Sequence, residues 1–220
     1  MRLILAILLA LPLAAHAAST CPIGGGAVTL PSPETCEETA QHTMSLAPAN
    51  DCTTPRMAQC DENFLPLYKD FTEAELELAS QYIQMEAYES AVDSSPYFLA
   101  YNLERFLGGD QNLPFQLLLQ GLWYDAPRSY FDPVYMDNFF FEARSALNNA
   151  PSEELAALHA LVAFAYIQNE NNESAHQHIA KSLALGPATV IVTGYQSAVT
   201  ECLEDSASIY CEPTTLSPMK

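Results

Sequence analysis

Residues 156–187 read AALHALVAFAYIQNENNESAHQHIAKSLALGP. Two helices are written into this stretch. The first is an Ala- and Leu-rich run that ends near Gln168. Ser152 stands before it as a cap, and Glu153 and Glu154 fall in its first turn, where the positive end of the helix dipole favours carboxylates. Asn171 or Asn172 opens the second helix. Gly186-Pro187 stops it, because glycine accepts the left-handed cap and proline cannot continue a helix. Few residues separate the two helices, so they fold back as an antiparallel hairpin. Small side chains at Ala163 and Ala175 let them approach closely, and Tyr166 fills the gap between them.

The same punctuation runs outward from this hairpin. Upstream, Thr72 and Glu75 form a capping box. Ser95-Pro96 starts a helix that closes at Leu107-Gly108-Gly109. Another covers 113–124, and Asp132-Pro133 opens one that runs to about Asn149. Downstream, 189–204 contains the β-branched run Val190-Ile191-Val192-Thr193, yet its neighbours are helical and a helix is expected. The sum is about eight antiparallel helices joined by short turns, with no strand–helix alternation and no Gly-rich phosphate loop. The fold class expected is all-α, arranged as helix hairpins in a solenoid or a bundle.

Residues 18–66 differ. They carry the Gly24-Gly25-Gly26 run, many prolines and four cysteines, and their helical periodicity is poor. We read them as an irregular segment with room for a short hairpin. The domain plan is therefore a leader over 1–17, the Cys/Pro-rich segment over 18–66, a helical domain over 67–212 and a flexible tail over 213–220.

The leader reads MRLILAILLALPLAAHA, with Arg2 as a short positive region and an apolar run from Leu3 to Leu13. Ala15 and Ala17 place small residues where a signal peptidase reads, so cleavage after Ala17 is expected. The run is too short to span a bilayer comfortably, and no stable membrane anchor is expected. Its lean Ala/Leu composition looks bacterial, which directs the chain to the periplasm or the outside.

All six cysteines lie beyond the leader, at Cys21, Cys36, Cys52, Cys60, Cys202 and Cys211. An even count in an exported chain reads first as disulfides. We expect Cys202 to pair with Cys211 and the first four to form two bridges. The competing reading is a zinc site on those four thiolates. It lacks the Cys-x-x-Cys knuckles that zinc ribbons use, because Gly24 stands where Cys21 would want its partner.

The chain carries 27 acidic against 8 basic residues, a formal charge of −19. No basic footprint for nucleic acid exists. A protein or peptide partner would need a neutral or basic surface, and its binding would weaken with salt.

Residues 156–187 resemble a tetratricopeptide repeat. The matching positions are Ala163 and Tyr166 in the first helix, Ala175, Ile179 and Ser182 in the second, and the terminating Pro187. Three positions depart from the pattern. His159 stands where a large apolar residue is usual, Ser182 replaces the usual alanine, and Asn169-Glu170 replaces a Gly-containing turn. The resemblance implies a helical-repeat scaffold that binds proteins or peptides. A fainter resemblance joins the Cys-Pro-x-x-Gly-Gly start to uncharacterised bacterial proteins that open with a zinc-ribbon-like Cys-Pro-x-Cys and continue as helices. There, Gly24 again replaces the second cysteine.

Catalytic signatures are absent from the sequence: no Gly-x-Ser-x-Gly elbow and no His-Glu-x-x-His. His176 and His178, two apart, point to different sides of their helix and cannot share a metal. Glu173-x-x-His176 shares a face, but a di-iron bundle needs two such motifs and this chain has one. The Asn169–Glu173 turn lacks calcium-loop spacing. No enzyme activity, cofactor or resident metal is expected. Aromatics crowd the middle of the chain, as core or as a peptide groove formed by Tyr97, Tyr101, Trp123, Tyr124 and Phe140. Phe139-Phe140-Phe141 cannot all face one core, so one of them must meet a second layer, a partner or solvent.

Overall fold

A computed structural model describes residues 20–29, 57–125, 129–130, 132–186, 190–208 and 210–211. The chain divides into two compact units, with the main division after Asp125. The leader over 1–17, Cys36, Cys52, Pro187 and the tail over 213–220 lie outside the described residues.

The first unit opens with a small sheet, so the fold is mainly helical, with its strands in and just beyond the segment read as having room for a short hairpin. Strands β1 (Val28–Thr29), β2 (Ala58–Cys60) and β3 (Pro66–Leu67) pair antiparallel in the order β1-β2-β3. The register sets Val28 opposite Cys60 and Ala58 opposite Leu67. Asn63 organises the β2–β3 turn: its carboxamide oxygen accepts from Leu65 N–H and its NH2 donates to the Ile23 carbonyl, each at 3.0 Å. A disulfide joins Cys21 to Cys60, so the segment before β1 is fixed to the middle strand.

Helices α1 (Glu73–Tyr82), α2 (Glu86–Glu89), α3 (Pro96–Leu107) and α4 (Leu113–Tyr124) follow. The expected capping box is present at the start of α1, where Glu75 N–H donates to Thr72 Oγ1 and Thr72 N–H donates to the Glu75 carboxylate. Gly108 closes α3 in the left-handed conformation, φ 68°, which glycine adopts without strain. Helix α4 then packs on α3.

The second unit holds α5 (Pro133–Asn149), α6 (Leu155–Gln168), α7 (Asn172–Leu185) and α8 (Val190–Glu204). Asp132 caps α5 by accepting from Val134 and Tyr135 N–H, and Asn171 caps α7 by accepting from Ser174 N–H. The Ser152 cap is corrected. Pro151–Glu154 form a turn closed by Glu154 N–H on the Pro151 carbonyl, and α6 begins at Leu155.

Helices α6 and α7 pack against each other, and α8 packs against both. The interior consists of Ala160, Ala163, Phe164 and Ile167 from α6, Ala175 and Ile179 from α7, and Val192, Tyr195, Ala198, Val199 and Cys202 from α8. The three-to-four spacing along α8 buries one helical face, and that burial outweighs the strand preference of its β-branched start. The end of α8 is fixed twice. Cys202 is bonded to Cys211, and Gln168 Nε2 donates to the Tyr210 carbonyl at 2.6 Å.

Candidate functional site

Of the positions that carry the repeat resemblance, Ala163, Ala175 and Ile179 lie in one buried cluster and Tyr166 packs against it. Ala163 and Ala175 are fully buried in the cluster that α6, α7 and α8 share. Ile179 is buried in the same cluster. Ser182, also fully buried, donates its hydroxyl to the Ala156 carbonyl at 2.7 Å and accepts from Gln196 Nε2 of α8 at 2.9 Å. The hydroxyl that departs from the alanine pattern thus links all three helices.

Tyr166 stacks on Phe140 of α5, with ring centroids 4.0 Å apart and planes at 8°. Tyr166 also meets the His178 ring, with centroids 5.5 Å apart and planes tilted by 46°. His178 in turn meets His159 of α6, Nδ1 to Nδ1 at 3.0 Å. Ring contacts therefore link Phe140, Tyr166, His178 and His159 in series. Both imidazoles are partly buried. Burial holds the His178 ring down to about 4, helped by its neighbour His159 and by Lys181. Burial, then Lys181, lowers His159 as well. At neutral pH both rings are uncharged bases, and one Nδ1 donates to the other. His176, singled out beside His178 in the sequence, is exposed and takes no part in this contact.

Of the two readings of the central aromatics, core or peptide groove, their burial favours core. Tyr97, Tyr101 and Trp123 are nearly fully buried, and Tyr124 is half-buried beside them. Phe98 stacks on Tyr101, and Trp123 meets Tyr124 edge-on. These are core contacts. Phe140 belongs to the series of ring contacts in the second unit. Of the three consecutive phenylalanines, Phe139 and Phe140 are buried and Phe141 is 57% exposed.

A second polar cluster lies in the first unit. Glu104, only 1% exposed, accepts from Tyr68 OH at 2.9 Å, Lys69 Nζ at 2.7 Å and Asp110 N–H at 3.1 Å. Lys69 also bonds Glu75 at 2.8 Å. Burial and the Glu104 charge push the Tyr68 phenol far up, so it stays a donor. Three donors hold this carboxylate, and through Tyr68 and Lys69 it ties the residues after β3 to α3.

No family model, characterised protein or solved structure matches this chain. Among the described residues, no group of three or more His, Cys, Asp or Glu side chains could hold a metal ion. The four-thiolate zinc reading loses two ligands, because Cys21 and Cys60 are bonded to each other. The expected Cys202–Cys211 pairing is present. No described helix is long and apolar enough to cross a membrane.

Proposed function

We propose that this chain is an exported helical-repeat protein of the bacterial cell envelope that binds another protein or a peptide and carries out no chemistry of its own. The observation that carries this reading is the placement of α8 against both α6 and α7. In repeat proteins each hairpin is buried by the next helix in this way, and the outer faces are left for partners. The disulfides Cys21–Cys60 and Cys202–Cys211 support an oxidising destination.

The contact surface assigned by this reading is the outer side of α5. Val134 and Phe141 are seven residues apart, so they share one side of that helix, and both are 57% exposed. The charge of −19 selects a neutral or basic partner. The test is site-directed crosslinking from α5 in cells, comparing the wild type with a Val134→Asp/Phe141→Asp double variant of unchanged thermal stability. A discrete crosslinked partner that the variant loses, and that salt weakens, supports the reading. A partner retained equally by the variant, or none at all, overturns it.

A further inference from the structure

We propose that His159 and His178 form a two-nitrogen clamp for a divalent copper ion, bridging α6 and α7. The inference is independent of the protein-binding reading above. It starts from the 3.0 Å separation of the two Nδ1 atoms, which lie on different helices and face each other.

A first-row ion sits about 2.0–2.1 Å from an imidazole nitrogen. Two such nitrogens 3.0 Å apart would subtend about 95° at the ion. That is close to the right angle between neighbouring ligands of a tetragonal Cu2+ or Ni2+ site. A tetrahedral Zn2+ site needs a wider angle, and the rings would have to separate to about 3.3 Å. Among divalent ions at nitrogen ligands, copper binds tightest. The remaining coordination positions fall to water, because both rings are only partly buried.

The protonation states suit this role. Burial keeps both imidazoles neutral, and the neutral ring is the ligating form. In the empty pair one Nδ1 carries the proton shared with the other. On metal binding that proton passes to Nε2 of the same ring through solvent, and both Nδ1 lone pairs turn to the ion. No net proton is released and no redox step is involved. Lys181 is the charged group that lowers both rings; its exposed, flexible chain can swing away from an incoming cation.

The experiment titrates Cu2+, Ni2+ and Zn2+ into the full mature chain with its disulfides intact. Binding is followed by calorimetry and by electron paramagnetic resonance of the copper form. The wild type and His176→Gln should bind Cu2+ alike, with coupling to two nitrogens. His159→Gln and His178→Gln should each lose at least tenfold in affinity and show one nitrogen. Copper binding of equal strength in the double variant overturns the proposal, as does its absence in the wild type. A second readout does not depend on variants folding. Copper should protect His159 and His178 from ethoxyformylation while His176 reacts freely, and equal modification with and without metal sinks the clamp.

Discussion

Ser182 and Gln196 meet inside the α6–α7–α8 packing, the Gln196 Nε2 donating to a Ser182 hydroxyl that itself donates to the Ala156 carbonyl. One oxygen therefore satisfies two other buried polar groups. Replacing Ser182 by alanine, the residue usual in tetratricopeptide repeats, leaves an amide and a carbonyl without that partner. The expected cost is about 1–2 kcal/mol in urea unfolding. Adding Gln196→Leu should recover most of it, because no buried donor is then orphaned. Full stability of the single variant would show that the hydroxyl contributes nothing.

The turn between α6 and α7 makes the opposite prediction. Glu170 sits in the left-handed region at φ 57°, where a side chain is strained. Its neighbours close the turn around it, with Asn171 N–H on the Tyr166 carbonyl at 2.9 Å. Glu170→Gly should raise stability by up to about 1 kcal/mol, since glycine takes this conformation freely. The check is the shift in denaturation midpoint at unchanged slope.

Gly109 borders the Glu104 cluster. A Cβ built there would land on the Glu104 Oε1. That oxygen cannot step aside cheaply, because Tyr68, Lys69 and the Asp110 N–H hold the carboxylate. Gly109→Ala is expected to cost about 2–3 kcal/mol through overpacking and loss of these bonds. Equilibrium unfolding of this variant beside Gly108→Ala separates a steric clash at 109 from the backbone strain expected at 108.

Acidification should weaken the second unit through its histidine pair. Unfolded histidine takes a proton near 6.5, whereas folded His178 resists until about 4 and His159 is also lowered. The unfolded state therefore binds more protons as pH falls through this window. The stability contribution is complete above about 6.5 and is lost on the way down to 4. Both rings are partly open to water, so the effect is on the order of 1 kcal/mol. Unfolding curves at pH 7.5 and 5.0 should differ less for His178→Gln than for the wild type. An identical acid loss in both would place the effect elsewhere.

Much of the helical architecture was legible because helix ends depend on local chemistry. Thr72 with Glu75, Asp132, Asn171 and Gly108 each act on backbone groups within a turn of themselves, and each marks its helix as expected. Ser152 does not cap the helix because it lies inside the Pro151–Glu154 turn, which ends just before Leu155. The sheet was hidden for a different reason. Its strands are two or three residues long, too short for an alternating pattern, and the bridge that joins their approach to the middle strand spans 39 positions. The histidine pair left a fainter trace. His159 lies one turn before Ala163 and His178 one turn after Ala175, so an antiparallel hairpin that seats the alanines together must also bring these rings together. Reading His176 against His178 along one helix concealed that pairing across two.

The Cys21–Cys60 bridge has a consequence for how the chain matures. A polypeptide emerging N-terminus first exposes Cys21, then Cys36 and Cys52, and only then Cys60. The first thiol thus encounters two wrong partners before the right one arrives. Oxidation in order of arrival traps a non-native loop, which thiolate attack must reopen before the middle strand can be joined. Recovery of correctly bridged protein should follow the isomerase capacity of the producing cell more than its oxidising power.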